Sequence, residues 1–176
     1  ILTFDGMSLK SQLQYVEAND HIRGFVDLGP YDSESSDVAK QAVQFMIRGI
    51  STKCKQPLGH FFCSHSVKTE TLQLMVNSAI SVIEKIGLNV VALVCDQEVS
   101  HRLLFRNLGV TVSEPWFVTE DNSKVFALYD VPHLLKNLRN NLLNYDIVVD
   151  GKIVSFKYLR QLYDLEKHSC LRLCPK

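Results

Sequence analysis

A chain of 176 residues that is 46% hydrophobic and 22% charged has ordinary globular usage and enough length to bury a core unaided, which excludes a disordered chain, a collagen-like chain and a disulfide scaffold. Its longest apolar run, Val90 to Cys95, is too short to span a bilayer. Net charge is zero, yet residues 1–132 carry 11 Lys+Arg against 15 Asp+Glu and residues 133–176 carry 8 against 4, so this is not a uniformly basic nucleic-acid binder. The basic C-terminal quarter suits either a phosphate backbone or a solvated helix face. Five scattered cysteines, Cys54, Cys63, Cys95, Cys170 and Cys174, read as reduced thiols of an intracellular protein. The sequence begins at Ile1 with no visible signal peptide, which says little if a longer chain precedes it.

In chain order, Ile1 to Asp5 is a short β-rich run ending in a carboxylate. Leu13 to Tyr15 and Ile22 to Leu28 read as strands around a Glu17 to Asp20 turn, and residues 29–37 as an acidic loop. Ala42 to Ile50 fits a helix or a buried strand; Gly49, Ser51 and Thr52 favour a strand, with Leu58 to Cys63 as its successor after Pro57. Thr69 to Ile86 is the clearest helix, with Leu72, Met75, Val76, Ala79, Ile83 and Ile86 in one stripe, Thr69 as its cap and Gly87 as its stop. Val90 to Cys95 is continuous, apolar and β-branched, as in a parallel strand buried on both faces, and Asp96 follows it. Ser100 to Leu108 is a short helix before Gly109, and Trp116 to Thr119 with Val125 to Tyr129 a hairpin. Asp130-Val-Pro132 opens a helix from His133 to Leu143, residues 148–155 form a hairpin about Asp150-Gly151, and Phe156 to Glu166 is the last helix. This order predicts an α/β fold whose mixed sheet has an antiparallel half and a parallel half covered by helices.

Two carboxylates stand out by position. If the strands ending in Asp5 and Asp96 are parallel neighbours, both side chains emerge at one sheet edge, where α/β sheets bind their ligands. Carboxylates so placed repel each other unless neutralised, and a divalent cation is the common neutraliser. The chemistry implied is two-metal phosphodiester hydrolysis or transfer, which usually needs a third carboxylate. The ordinary alternative is that each Asp merely caps the following turn or helix.

Five segments together resemble the P-element transposase family, including the THAP-domain transposase relatives of animals. They are Phe4-Asp-Gly-Met-Ser8, Gly24-Phe-Val-Asp-Leu-Gly29, Lys55-Gln-Pro57, Val94-Cys-Asp-Gln97 and Tyr129-Asp-Val-Pro-His-Leu-Leu-Lys-Asn137, the last with Arg139-Asn-Asn141. The resemblance implies an RNase H-like mixed sheet flanked by helices, split before its last helix by a helical, guanine-nucleotide-binding insertion domain. Residues 1–131 would be the N-terminal part of the catalytic core and residues 132–176 the beginning of the insertion. By motif, Asp5 is similar to the family's first catalytic carboxylate and Asp96 to its second, both holding Mg²⁺ or Mn²⁺; the third, a Glu, would lie outside this chain. The resemblance further implies transposon-end DNA as partner, GTP as a cofactor of the full-length protein, homo-oligomers, a nuclear location and no membrane. It departs at Gly6, where relatives often have Glu, and at Glu98-Val-Ser-His101, where they tend to have Gly and Asn. A domesticated relative that binds DNA or protein without chemistry is the competing function.

Weaker candidates surround these. Asp130 also ends a strand near the expected site, although Asp suits a helix entry equally well. Lys136, Arg139 and Asn140 lie on the polar side of a helix expected to bury Leu134, Leu135, Leu138 and Leu142, and suit DNA phosphates or solvent. His60 and Cys63 would point to opposite faces of a strand, which argues against a shared zinc with His65. His168, Cys170 and Cys174 match no common zinc finger. No Gly-x-x-x-x-Gly-Lys-Ser/Thr loop is present, which excludes a Walker-type nucleotide site and discourages a metabolic α/β domain.

Overall fold

The structure, a computed structural model, describes residues 1–31 and 36–168. It forms two compact units, Ile1–Asp130 and Val131–Lys176. The first is built on a six-stranded sheet of β1 (Leu2–Ser8), β4 (Gln41–Arg48), β5 (Lys55–Cys63), β6 (Ala92–Cys95), β7 (Trp116–Val118) and β8 (Lys124–Tyr129), in the order β5-β4-β1-β6-β8-β7. β2 (Gln14–Val16) and β3 (His21–Arg23) form a separate small hairpin. β5, β4 and β1 pair antiparallel, β1, β6 and β8 parallel, and β7 closes the far edge antiparallel. The expected mixed sheet is therefore present, and the ambiguous Ala42 to Ile50 segment is a strand.

One face of this sheet carries the core. Leu2, Phe4, Val43, Phe45 and Leu93 meet Leu72, Met75, Val76, Ile80 and Ile83 of α1 (Thr69–Lys85) and Leu104 and Phe105 of α2 (Val99–Asn107). The α1 stripe is shifted from expectation. Ile80 is buried, whereas Ile86 lies past the last helical residue and is exposed, because Gly87, at φ +82°, ends the helix with its N–H on the Glu84 carbonyl. Thr69 is not the cap either: Lys68 holds that position without a side-chain bond, and Thr69 is buried inside the first turn. On the opposite sheet face Phe126 and Leu128 stay about half exposed.

Strand ends explain two further differences. Pro57 lies within β5 rather than before it, which is tolerable because β5 is an edge strand and the register slips there, Phe45 facing Gly59 and Met46 facing Pro57. β1 runs on to Ser8 through Gly6, paired to β4 along its whole length, so Asp5 is within the strand and does not end it.

Gly24 leads out of β3 at φ +112°, with its carbonyl accepting the Ala39 N–H at 2.8 Å. A Cβ there would lie 2.4 Å from the backbone oxygen of Gln12. Gly24→Ala is therefore expected to cost roughly 1–3 kcal/mol through strain and clash, whereas Gly6→Ala, with nothing within 4 Å of the added carbon, stays close to neutral. Urea denaturation of both variants checks this; equal midpoints would contradict it.

The second unit contains α3 (Val131–Asn144), a hairpin of β9 (Ile147–Val149) and β10 (Lys152–Val154), and α4 (Phe156–Glu166). The hairpin turns at Asp150 and Gly151, with φ of +50° and +74°, as a two-residue loop demands. Ser155 caps α4 through its hydroxyl, which accepts the Lys157 N–H. Neither helix has a fully buried residue; Leu135 and Leu138, expected to be buried, are exposed. The expected cluster at Cys170 and Cys174 lies outside the described residues.

Candidate active site

The site begins with a register. In the parallel pairing of β1 and β6, Leu2 faces Leu93 and Thr3 faces Val94, and then β6 ends at Cys95 while β1 continues. The same register carried two residues further sets Asp5 beside Asp96. On the other flank Val94 faces Leu128 and Cys95 faces Tyr129, so Asp130 falls next to Asp96, with its N–H donating to the Cys95 carbonyl at 2.8 Å. Three acidic positions thus follow the paired parts of three parallel neighbours, Asp5 inside β1 and Asp96 and Asp130 directly after β6 and β8.

Each of the two leading carboxylates has one oxygen tied down locally. Asp5 is exposed, and its Oδ1 accepts the N–H of Gly6 at 2.8 Å. It borders a hollow of about 150 Å³ with Thr3, Met7, Gln44 and Met46 on the sheet face away from α1. Asp96 is half-buried; its Oδ1 accepts the Glu98 N–H at 3.0 Å and lies 2.5 Å from Nδ1 of His101. His101, in the first turn of α2, is buried and meets the edge of Phe4 with ring centres 4.8 Å apart. Its Nε2 is 3.8 Å from a Glu98 carboxylate oxygen. Among the described residues, Asp96, Glu98 and His101 are the group of three potential ligands that comes together, with atoms within 4.8 Å of one another.

Cys95 lies on the core side between the two carboxylates. Burial pushes its thiol well above the ordinary range, and the charges of Asp96 and then Asp5 push it further the same way. Both carboxylates therefore act on one point, and the thiol beside them stays protonated at neutral pH, a poor metal ligand. At Asp5 and Asp96 the donors are carboxylate oxygens, the hard type that suits Mg²⁺ or Mn²⁺, with the His101 imidazole as the nitrogen donor nearby.

Sequence reasoning assigned no role to His101, which entered only as a departure from the family pattern. The available signal was its place five residues after Asp96, one turn into a helix that starts beyond the strand. Lys136, Arg139 and Asn140 all lie exposed on α3 of the second unit, with Arg139 Nε and Nη2 donating to Asn140 Oδ1 at 3.2 and 3.0 Å. Cys63 is buried and His60 exposed, as their alternation requires.

A six-stranded mixed sheet with four helices in the chain, matched to a solved transposase structure, defines an RNase H-like fold. The chain belongs to the TNP-like family, RNase H N-terminal domain, whose model matches residues 1–109. It is 27% identical over 178 residues to the transposable element P transposase of Drosophila melanogaster, covering 100% of this chain and 21% of that protein. It is also 27% identical over 179 residues to the DNA transposase THAP9 of Homo sapiens, covering 94% of this chain and 19% of that protein. Among solved structures, the Drosophila P element transposase strand transfer complex matches with a TM-score of 0.78 and 25% identity, covering 98% of this chain and 35% of that one. The chain spans about a fifth of the length of these curated relatives.

Proposed function

We propose that this chain is part of the catalytic domain of a cut-and-paste DNA transposase that cleaves and joins transposon-end DNA with divalent cations held by Asp5 and Asp96. The observation that supports this reading is the parallel register of β1 and β6, in which Thr3 faces Val94 two residues before Asp5 and Asp96, each of which has one oxygen fixed by a backbone amide. Mg²⁺ or Mn²⁺ bound there would activate the attacking hydroxyl and stabilise the leaving oxygen. The chain's own contribution is orientation and charge: two carboxylates aimed from a rigid sheet, with the protonated Cys95 thiol behind them.

The same reading makes residues 1–131 the catalytic core and 132–176 the start of an insertion domain that binds GTP in the full-length protein. It places Lys136, Arg139 and Asn140 where they contact DNA phosphates, and the assembled protein works as a homo-oligomer in the nucleus. A third carboxylate supplied by a later segment completes the cation site. No described helix is long and apolar enough to cross a membrane.

The test is cleavage and joining of a labelled transposon end by the complete protein, with Mg²⁺ or Mn²⁺ supplied and then chelated. Activity is expected only with the cation. The isolated 176-residue chain is expected to bind the cation weakly and to cleave nothing, because two carboxylates give too few oxygens for a tight shell. Strand transfer undiminished by chelation would contradict the proposal.

A further inference from the structure

Asp96 presents its two oxygens unequally. Oδ1 is used twice, by the Glu98 N–H at 3.0 Å and by His101 Nδ1 at 2.5 Å, while Oδ2 has no hydrogen bond among the described residues. A carboxylate oxygen only accepts, so the contact requires the tautomer in which Nδ1 carries the proton and donates. His101 is itself fixed: it is 5% exposed, the Phe4 ring closes on it at 81°, and its own N–H donates to the Glu98 carbonyl at 3.1 Å. Phe4 is the residue before Asp5. One buried ring therefore braces the ends of both strands that carry the acidic pair.

We propose that His101 is a positioning residue that locks the Asp96 carboxylate, occupying Oδ1 so that Oδ2 is turned outward to the cation. The proposal rests on the reading of Asp96 as a cation ligand. It differs from the arrangement in which Asp96, Glu98 and His101 ligate a metal together: Nδ1, 2.5 Å from Oδ1, leaves no room for an ion between them, and ligation through Nε2, 3.8 Å from a Glu98 oxygen, is the alternative that a ¹⁴N coupling would reveal. Partners that orient a metal-binding side chain commonly influence affinity by 10–100-fold without touching the metal.

The experiment is a Mn²⁺ titration of the complete protein followed by electron paramagnetic resonance, with Asp96→Asn as reference. Asp96→Asn is expected to remove one class of bound Mn²⁺. His101→Phe, which keeps an aromatic edge for Phe4 but has no donor, is expected to weaken that class roughly tenfold or more. His101→Asn puts an amide N–H near the Nδ1 position and should hold affinity close to wild type, whereas His101→Gln carries its donor one bond too far and should behave like His101→Phe. If His101→Phe fails to fold, the Asn and Gln pair still decides, since both are polar amides that differ in where the donor lies. No ¹⁴N coupling from a bound imidazole is expected on the Mn²⁺. Loss of the class in Asp96→Asn together with wild-type affinity in the Phe and Gln variants would overturn the positioning role alone, as would a ¹⁴N coupling that disappears with His101. Unchanged Mn²⁺ binding in Asp96→Asn would overturn the cation reading and the positioning role with it.

Discussion

Asp5→Asn or Asp96→Asn in the complete protein is expected to lower metal-dependent strand transfer by roughly 10³-fold or more, the loss of several kcal/mol of charge stabilisation at the reacting phosphate. The amide keeps the shape of the side chain and can still accept the Gly6 N–H at position 5, or the Glu98 N–H at position 96. What it loses is the charge that a hard cation requires. The fold should not suffer at position 5, where the side chain is exposed, whereas Asp96→Asn turns the charge-assisted bond from the buried His101 into a neutral one and is expected to cost about 1 kcal/mol. Thermal midpoints are therefore expected to hold for Asp5→Asn and to fall only slightly for Asp96→Asn while activity disappears, the combination typical of residues kept for function. A variant that transfers strands at the wild-type rate, or one that loses activity only because it unfolds, would mean that these carboxylates are structural.

Phe45→Ala is expected to have the largest effect on stability, a loss of roughly 3–5 kcal/mol measured by urea unfolding. Phe45 is 2% exposed at the centre of β4. Its ring stacks on Phe4 with centres 5.3 Å apart and meets the edge of Phe61 at 5.9 Å. Truncation leaves a void beneath three strands that α1 is too firmly packed to fill. The effect reaches the site, since Phe4 is held between Phe45 and His101 and directly precedes Asp5. A loss below about 1 kcal/mol would show that this aromatic cluster is not the core of the sheet.

The parts of this architecture that the sequence made legible are those where one physical demand acts alone. Val90 to Cys95 could be read as a central parallel strand because its run carries no polar residue, although β6 begins only at Ala92 and Val94 is just partly buried. The Asp150-Gly151 turn was legible because only such residues accept positive φ twice in succession. Boundaries were misread where partners decide them: β1 extends beyond Asp5 because β4 continues to pair with it to Ser8. Pro57 looked like a breaker and is tolerated because it lies on an edge with a register slip. The acidic pair was legible from its position at the ends of two expected strands and then from motif resemblance, whereas its hydrogen bonds and His101 were not, since contact between a strand end and the following helix depends on how that helix packs. The exposed leucines of α3 illustrate the converse: amphipathic spacing announces a face to be covered but not what covers it.

On the proposed function, Asp5 and Asp96 share a cation at the edge where β1 passes the end of β6. A crystal of the complete protein grown with Mn²⁺ and examined at the manganese absorption edge tests it most directly. An anomalous difference peak bridging the Asp5 and Asp96 carboxylates, absent from an Asp96→Asn crystal, is the predicted result. A peak that contacts neither carboxylate, or the same peak persisting in the Asp96→Asn crystal, would contradict the account.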